Sequence, residues 1–255
     1  MNRISGRILS FGIAMTAVLG VATAADALPK ADTILDKYIE VTGGKAAYAK
    51  LHSETTTGVM DFPAMGMKGK MTAYHVEPDR SFVEIEMPGV GKLQEGTNGD
   101  VAWANSAMQG PHVKEGDEKN DAMQQATFNA DLRWRDLYPK VETVSLEDVD
   151  GKPCYKLVLT PKSGNPVTKW YSKDTGLLVK IKVKAKSPMG EIESESVVSD
   201  YRKEGDILMP HKLVSHAASL EMAMTVESVQ YNAEIPKDKF ELPEEIKALL
   251  KKPVK

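Results

Sequence analysis

The sequence predicts a mainly β protein with a few helices, an α+β chain built on one large curved antiparallel sheet. Three observations carry this. From Ser53 onward apolar and polar residues alternate with a period of two. The candidate strands are joined by short turns of apt chemistry, Asn98-Gly99, Asp150-Gly151, Asp174-Thr175-Gly176 and Gly205-Asp206. One helical stretch, residues 117–140, interrupts the strands half-way along. About eleven or twelve strands in hairpin order make a sheet that must curl. A helix set between its two halves is expected to lie over the hollow, with the functional site beneath it.

The chain opens with Arg3 and Arg7, then an uncharged apolar run from Ile8 to Ala22, then the small-x-small triplet Ala22-Thr23-Ala24. This is the pattern of a Sec signal peptide. The run is shorter than the ~20 residues of a spanning helix. The expectation is a signal peptide over 1–24 and a single periplasmic β domain over 25–255. No Cys follows the apolar run, so no lipid anchor is expected.

Residues 31–50 read as a broken helix, with Asp32 at its start and Ile34, Leu35, Tyr38, Ile39 and Val41 as its apolar side. Gly43-Gly44 stops it. Before the central helix, candidate strands are Glu54–Phe62, Lys70–Val76, Arg80–Met87, Lys92–Thr97 and Asp100–Asn105. After it come Val141–Val149, Cys154–Thr160, Val167–Ser172, Leu177–Lys186, Glu191–Tyr201, Ile207–His216 and Glu221–Tyr231. Within the central stretch Met123, Thr127, Ala130, Trp134 and Leu137 recur at steps of four and three, one face of a helix. Pro139 ends it. A short basic helix is expected from Pro243 to Lys252.

Removing Arg3 and Arg7 leaves 31 basic against 36 acidic residues, a net charge of −5. A mildly acidic surface is ill-suited to nucleic acid, so no nucleic-acid partner is expected. Cys154, the one cysteine, excludes an intrachain disulfide. No pair among His52, His75, His112, His211 and His216 has metal-ligand spacing, and no nucleophile elbow or phosphate loop is present. The expectation is therefore no catalytic residue, no metal, no cofactor and no enzyme. The lysines from Lys169 to Lys186 alternate with apolar residues and are balanced by Glu191, Glu193 and Glu195, so they read as a solvated face.

Four turns place Met beside Gly and Pro: PAMGM (63–67), MPGVG (87–91), AMQGP (107–111) and SPMGE (187–191). A Met at a hairpin tip buries nothing in its own hairpin, and Met suits surfaces that accept varied apolar partners. Such side chains either fold back as core or form an apolar rim; Met65, Met108 and Met189 are the rim candidates.

Several segments resemble the bacterial outer-membrane lipoprotein-sorting proteins related to the LolA and LolB carriers. They are ILDKYIEVTGGKAAYAK, MPGVGKLQEGTNGDVAWANSAMQGP, LYPKV, VDGKPCYKLVLTPKSGNP, WYSKDTGLLVKI, SPMGEIESE, SDYRKEGDILMPHKL and KFELP, in that order over nearly the whole mature chain. The resemblance implies a half-open antiparallel barrel of about 11 strands, a size at which sheets curl, with a helical lid over a hydrophobic cavity. It also implies a periplasmic, monomeric carrier of a lipid or lipoprotein acyl chain, served by a membrane-bound donor or acceptor protein. One motif departs from LolA itself: where that carrier has Arg directly before Pro in an early strand, this chain has Glu77-Pro78, with Arg80 following. The expected cavity wall is Met60, Phe62, Val83, Ile85, Met87, Trp103, Trp134, Leu137, Ile181, Val183, Met222 and Met224. The rival functions are a sensor or interaction module holding a peptide or protein in the same groove, and a lipid-ester hydrolase.

Overall fold

The computed structural model describes residues 27–251 apart from Ser163, Pro188, Met189 and Ser219. The expected signal peptide and Met189 lie outside the described residues. The chain forms one 13-stranded antiparallel sheet. The first meander is β1 (Ser53–Phe62), β2 (Met67–Val76), β3 (Arg80–Met87), β4 (Gly91–Thr97), β5 (Ala102–Ser106) and β6 (Gly110–Val113). The second is β7 (Lys140–Val149), β8 (Lys152–Thr160), β9 (Val167–Ser172), β10 (Leu178–Ser187), β11 (Gly190–Glu204), β12 (Ile207–Ala217) and β13 (Leu220–Tyr231). The two join through β1 and β13, which pair from Glu54↔Tyr231 to Asp61↔Ala223. The first and last strands therefore lie at the centre, and β6 and β7 are the two free edges.

That order explains the central helical region. The chain leaves the sheet at one edge, β6, and re-enters at the other, β7, so residues 114–139 must cross a face. Two short helices do so, α3 (Gly116–Gln125) and α4 (Trp134–Leu137). The single helix expected over 117–140 is thus replaced by two. Asn129 adopts φ 51, the left-handed region, which an α-helix does not pass through. Its side chain donates to the carbonyl of Tyr48 (3.1 Å), and the Phe128 N–H donates to the carbonyl of Pro78 (3.0 Å). Tertiary hydrogen bonds outweigh helical propensity here.

The crossing also proves the curvature. Helix α3 packs on both β5 and β10, eight strand spacings apart in the sheet order. Flat, that separation would be about 38 Å, whereas ten helical residues span about 15 Å. The sheet must fold round to bring the two strands to one helix.

Side chains paired across strands share a face. On the concave face the packing is built by α1 (Ala31–Val41) and α4 against the second meander. Ile34, Leu35, Tyr38 and Ile39 of α1 pack with Trp134, Leu157, Leu159, Tyr171, Leu178 and Val198. Helix α1 ends at Thr42, whose hydroxyl donates to the Tyr38 carbonyl (2.7 Å) and accepts from Tyr48 (2.9 Å), a residue of α2 (Lys45–Tyr48). The convex face of the first meander has its own small core. There Phe82 and Trp103 meet Phe240 and Ile246, the last on α5 (Glu244–Leu250). Gly96 is required beneath Trp103, because a Cβ there would lie 2.9 Å from the indole ring. The expected C-terminal helix is present and covers the outer face; its Ile246 is fully buried.

Candidate functional site

The concave face is covered over the second meander but only bridged in its middle. Register puts Met60 opposite Gly69 and Met224, and Met224 opposite Leu213. Val83 and Ile85 of β3 face Ala73 and Met71 of β2, and Ile85 also faces Leu93. Met222 lies on the same face of β13, and Ile181 and Val183 continue the surface on β10, opposite Ser196 and Ser194. Met60, Val83, Ile85, Leu93, Ile181, Val183, Leu213, Met222 and Met224 are all half-buried rather than buried. They form an apolar trough whose floor is partly open. Phe62, Met71 and Met87 are buried at its rim end.

Of the twelve expected wall residues, ten share this face. Nine are on strands or at the rim: Met60, Phe62, Val83, Ile85, Met87, Ile181, Val183, Met222 and Met224. Trp134 is on the same side but packed into the α1 core, 5 % exposed, under the Arg135 guanidinium at 4.1 Å from its ring. Leu137 is half-buried on α4. Trp103 does not join them. It pairs with Gly96 and packs with Phe82 on the convex face. The sequence shows only that Trp103 alternates, and a one-residue choice of parity sends it to either side.

The crossing segment bridges the trough with a polar helix. Helix α3 (GDEKNDAMQQ) has no fully buried residue. Met123 touches the first meander, its Sδ accepting from the Thr97 hydroxyl (3.3 Å). Asp121 stands against Gly164 in the β8–β9 loop of the second meander. At the Glu77-Pro78 turn, where the sequence departs from LolA, Glu77 faces His52 (2.9 Å), and the Pro78 carbonyl holds the crossing segment.

Strand polarity places the turns. The connections at 63–66, 88–90 and 107–109 all lie at one end of the strands, because successive hairpin turns alternate ends. The three described Met-bearing turns thus share one rim. Met65 is 54 % and Met108 80 % exposed there, while Met87 is buried. A recess of about 990 Å³ opens on the outer side of this rim, between the 88–91 turn and Lys68, Lys70 and Lys92. Val59, Lys68, Lys70, Glu86 and Lys92 of its lining point to the convex face, while Gly69 and Met87, also in its lining, belong to the rim end of the trough.

The opposite end of the concave face is polar. Glu54, His75 and Tyr231 share it. Burial lowers the pKa of His75 against the pull of Glu54, keeping the imidazole neutral, and burial pushes Tyr48 up to about 12. Among the described residues no group of three or more His, Cys, Asp and Glu is placed to hold a metal ion.

One lysine lies where the sequence pattern does not put it. Lys180 and Lys182 are on the outer face, paired with Glu195 and Glu193, as a solvated stripe should be. Lys169 is not part of that stripe. It pairs with Leu157 and Ile181 and so stands on the concave face, 15 % exposed. Leu93, Leu213 and Lys169 also face the trough and were missed; Lys169 shows its parity only once the bulge between Leu178 and Lys180 is known.

No protein-family model matches the sequence, and no curated protein matches it. Solved structures do. A LolA superfamily protein from Nitrosomonas europaea superposes with a TM-score of 0.56 at 15% identity, covering 84% of this chain and 99% of that one. The fold is LolA-like. A DUF1329 family protein from Desulfovibrio piger gives a TM-score of 0.57 at 16% identity, covering 82% of this chain and 96% of that one. A putative outer membrane lipoprotein-sorting protein domain from Vibrio parahaemolyticus gives 0.53 at 12% identity, covering 86% and 100%. Each neighbour is thus matched over nearly its full length.

Proposed function

We propose that this protein is a periplasmic carrier that holds a lipid-like group, an acyl chain of a lipid or lipoprotein, in the concave trough and exchanges it with a membrane-bound donor or acceptor protein. The observation that carries the reading is the row of half-buried apolar side chains, Met60, Ile85, Leu213 and Met224 at its centre, left uncovered between the α1 core and the rim. Each methylene moved from water onto such a surface contributes about 0.8 kcal/mol, offset by the cost of ordering the chain. Three half-buried methionines in the trough, Met60, Met222 and Met224, suit chains of differing length and shape. The LolA-like fold supports the reading, and the sorting domain from Vibrio parahaemolyticus carries that role in its name. A binding reading also accounts for the trough without requiring any catalytic group.

The test is Met224→Gln. It places an amide at the trough centre with nothing to bond it once a chain lies over it, a cost of about 1–3 kcal/mol. Displacement of a fluorescent fatty acyl probe should weaken roughly tenfold while the melting curve stays near wild type. Unchanged affinity in a folded variant would place the ligand elsewhere or nowhere.

A further inference from the structure

Lys169 and Tyr171 stand two residues apart on the concave face of β9. The nearest acidic oxygen to the Lys169 ammonium is Asp131 Oδ1 at 3.8 Å, beyond hydrogen-bond range, and among the described residues it has no closer ionic partner. The Asp131 side chain is 41 % exposed, so the pair is loose and open to solvent on one side. Tyr171 is fully buried, edge-on to Tyr38 at 5.4 Å, and its hydroxyl has no hydrogen-bond partner among the described residues. Neighbouring hydroxyls are committed: Tyr201 donates to the Leu178 carbonyl (2.9 Å), and Tyr48 donates to Thr42 (2.9 Å). One cationic donor, held only by the loose pair with Asp131, and one unpartnered phenolic donor thus stand at the side of an apolar surface. Ile181, directly opposite Lys169, belongs to that surface.

We propose that Lys169, assisted by Tyr171, anchors the anionic head of the amphiphile whose chain lies in the trough. The ligand class is then a single-chain lipid ending in a carboxylate or a phosphate monoester. The inference rests on the carrier reading above. A buried donor without a partner is costly, and an ionised oxygen accepting from it makes one of the stronger hydrogen bonds available to a protein. Burial opposes the charge on Lys169, while the Asp131 carboxylate beside it favours the ammonium. Burial raises the pKa of Tyr171 and keeps the phenol protonated, able to donate. Asp131 is the competitor: a head group must draw Lys169 away from it.

The experiment compares three ligands of equal chain length on the mature chain: palmitate, hexadecanol and 1-palmitoyl lysophosphatidate. Wild type should bind the better of the two anions roughly tenfold or more tightly than hexadecanol. Lys169→Met should remove that difference and leave hexadecanol affinity in place. Lys169→Arg should restore it, and Asp131→Asn should strengthen anion binding. Whichever anion binds tighter names the source of the head group. Equal affinity for anion and alcohol in wild type overturns the anchor while leaving the carrier reading intact. A folded Lys169→Met that still discriminates also overturns it. Failure of all three ligands overturns both. If Lys169→Met does not fold, wild-type discrimination with the Arg and Asn variants decides the matter, because neither removes the charge at position 169.

Discussion

Trp134→Ala separates a fixed cover from a moving lid. Trp134 is 5 % exposed in the cluster formed with α1, Leu157, Leu159 and Tyr171. Truncating a large buried aromatic costs about 3–5 kcal/mol. The ring also carries Arg135, whose guanidinium is 4.1 Å away and bound to Asp36 through two hydrogen bonds of 3.1 and 2.8 Å. Arg135 is about half-exposed, so this stacking adds only about 0.5–1 kcal/mol. At about 2–4 °C per kcal/mol for a domain of this size, the combined loss of about 3.5–6 kcal/mol should lower the melting temperature by about 7–24 °C. Far-UV circular dichroism with urea and heat as denaturants reads this directly. A loss below about 1 kcal/mol would show that Trp134 is not packed under α1 and that the 126–137 segment moves as a lid.

Met65→Glu, at a rim position 54 % exposed, should leave stability within about 0.5 kcal/mol yet slow the uptake of an acyl probe in stopped-flow fluorescence; unchanged uptake would remove the rim from the path. Glu147 accepts from the Trp170 N–H, Lys156 and Ser145, which together hold its pKa at about 2. A depressed carboxyl pKa stabilises the fold above the unfolded value, and the gain is lost as pH falls from about 4.5 toward 2. Because the side chain is 38 % exposed the effect is screened to about 1 kcal/mol or less. Urea titrations should show Glu147→Gln less stable than wild type at pH 7 and equal to it near pH 2; a gap that widens in acid would contradict this.

Much of the sheet was legible because its signal is local. The boundaries Arg80–Met87 and Val167–Ser172 match the sequence reading residue for residue, and most others fall within two. The thirteenth strand, β6, was missed because Gly110-Pro111 reads as a turn; Pro is tolerated there since β6 is an edge. The break in the crossing helix was invisible because its cause, the bonds from Phe128 to Pro78 and from Asn129 to Tyr48, joins residues 50 and 81 positions apart. The β1–β13 pairing, which sets the curvature, is likewise non-local. In β10 the alternation holds at Ile181 and Val183, but a bulge between Leu178 and Lys180 turns Leu178 into the core in place of Leu177. Parity errors of this kind also hid Lys169 and misdirected Trp103. Composition marks a residue as apolar or charged, whereas the face it meets depends on bulges and partners that only the folded sheet reveals.

Photo-crosslinking with a palmitate analogue carrying a diazirine near the chain end, followed by peptide mapping, tests the trough most directly. Labelling should be saturable, displaced by excess palmitate, and confined to peptides of β1, β3, β10 and β13 that contain Met60, Ile85, Val183 and Met224. Unsaturable labelling, or labelling centred on Trp103 and Phe82 of the convex face, would contradict the assignment of the concave face as the binding site.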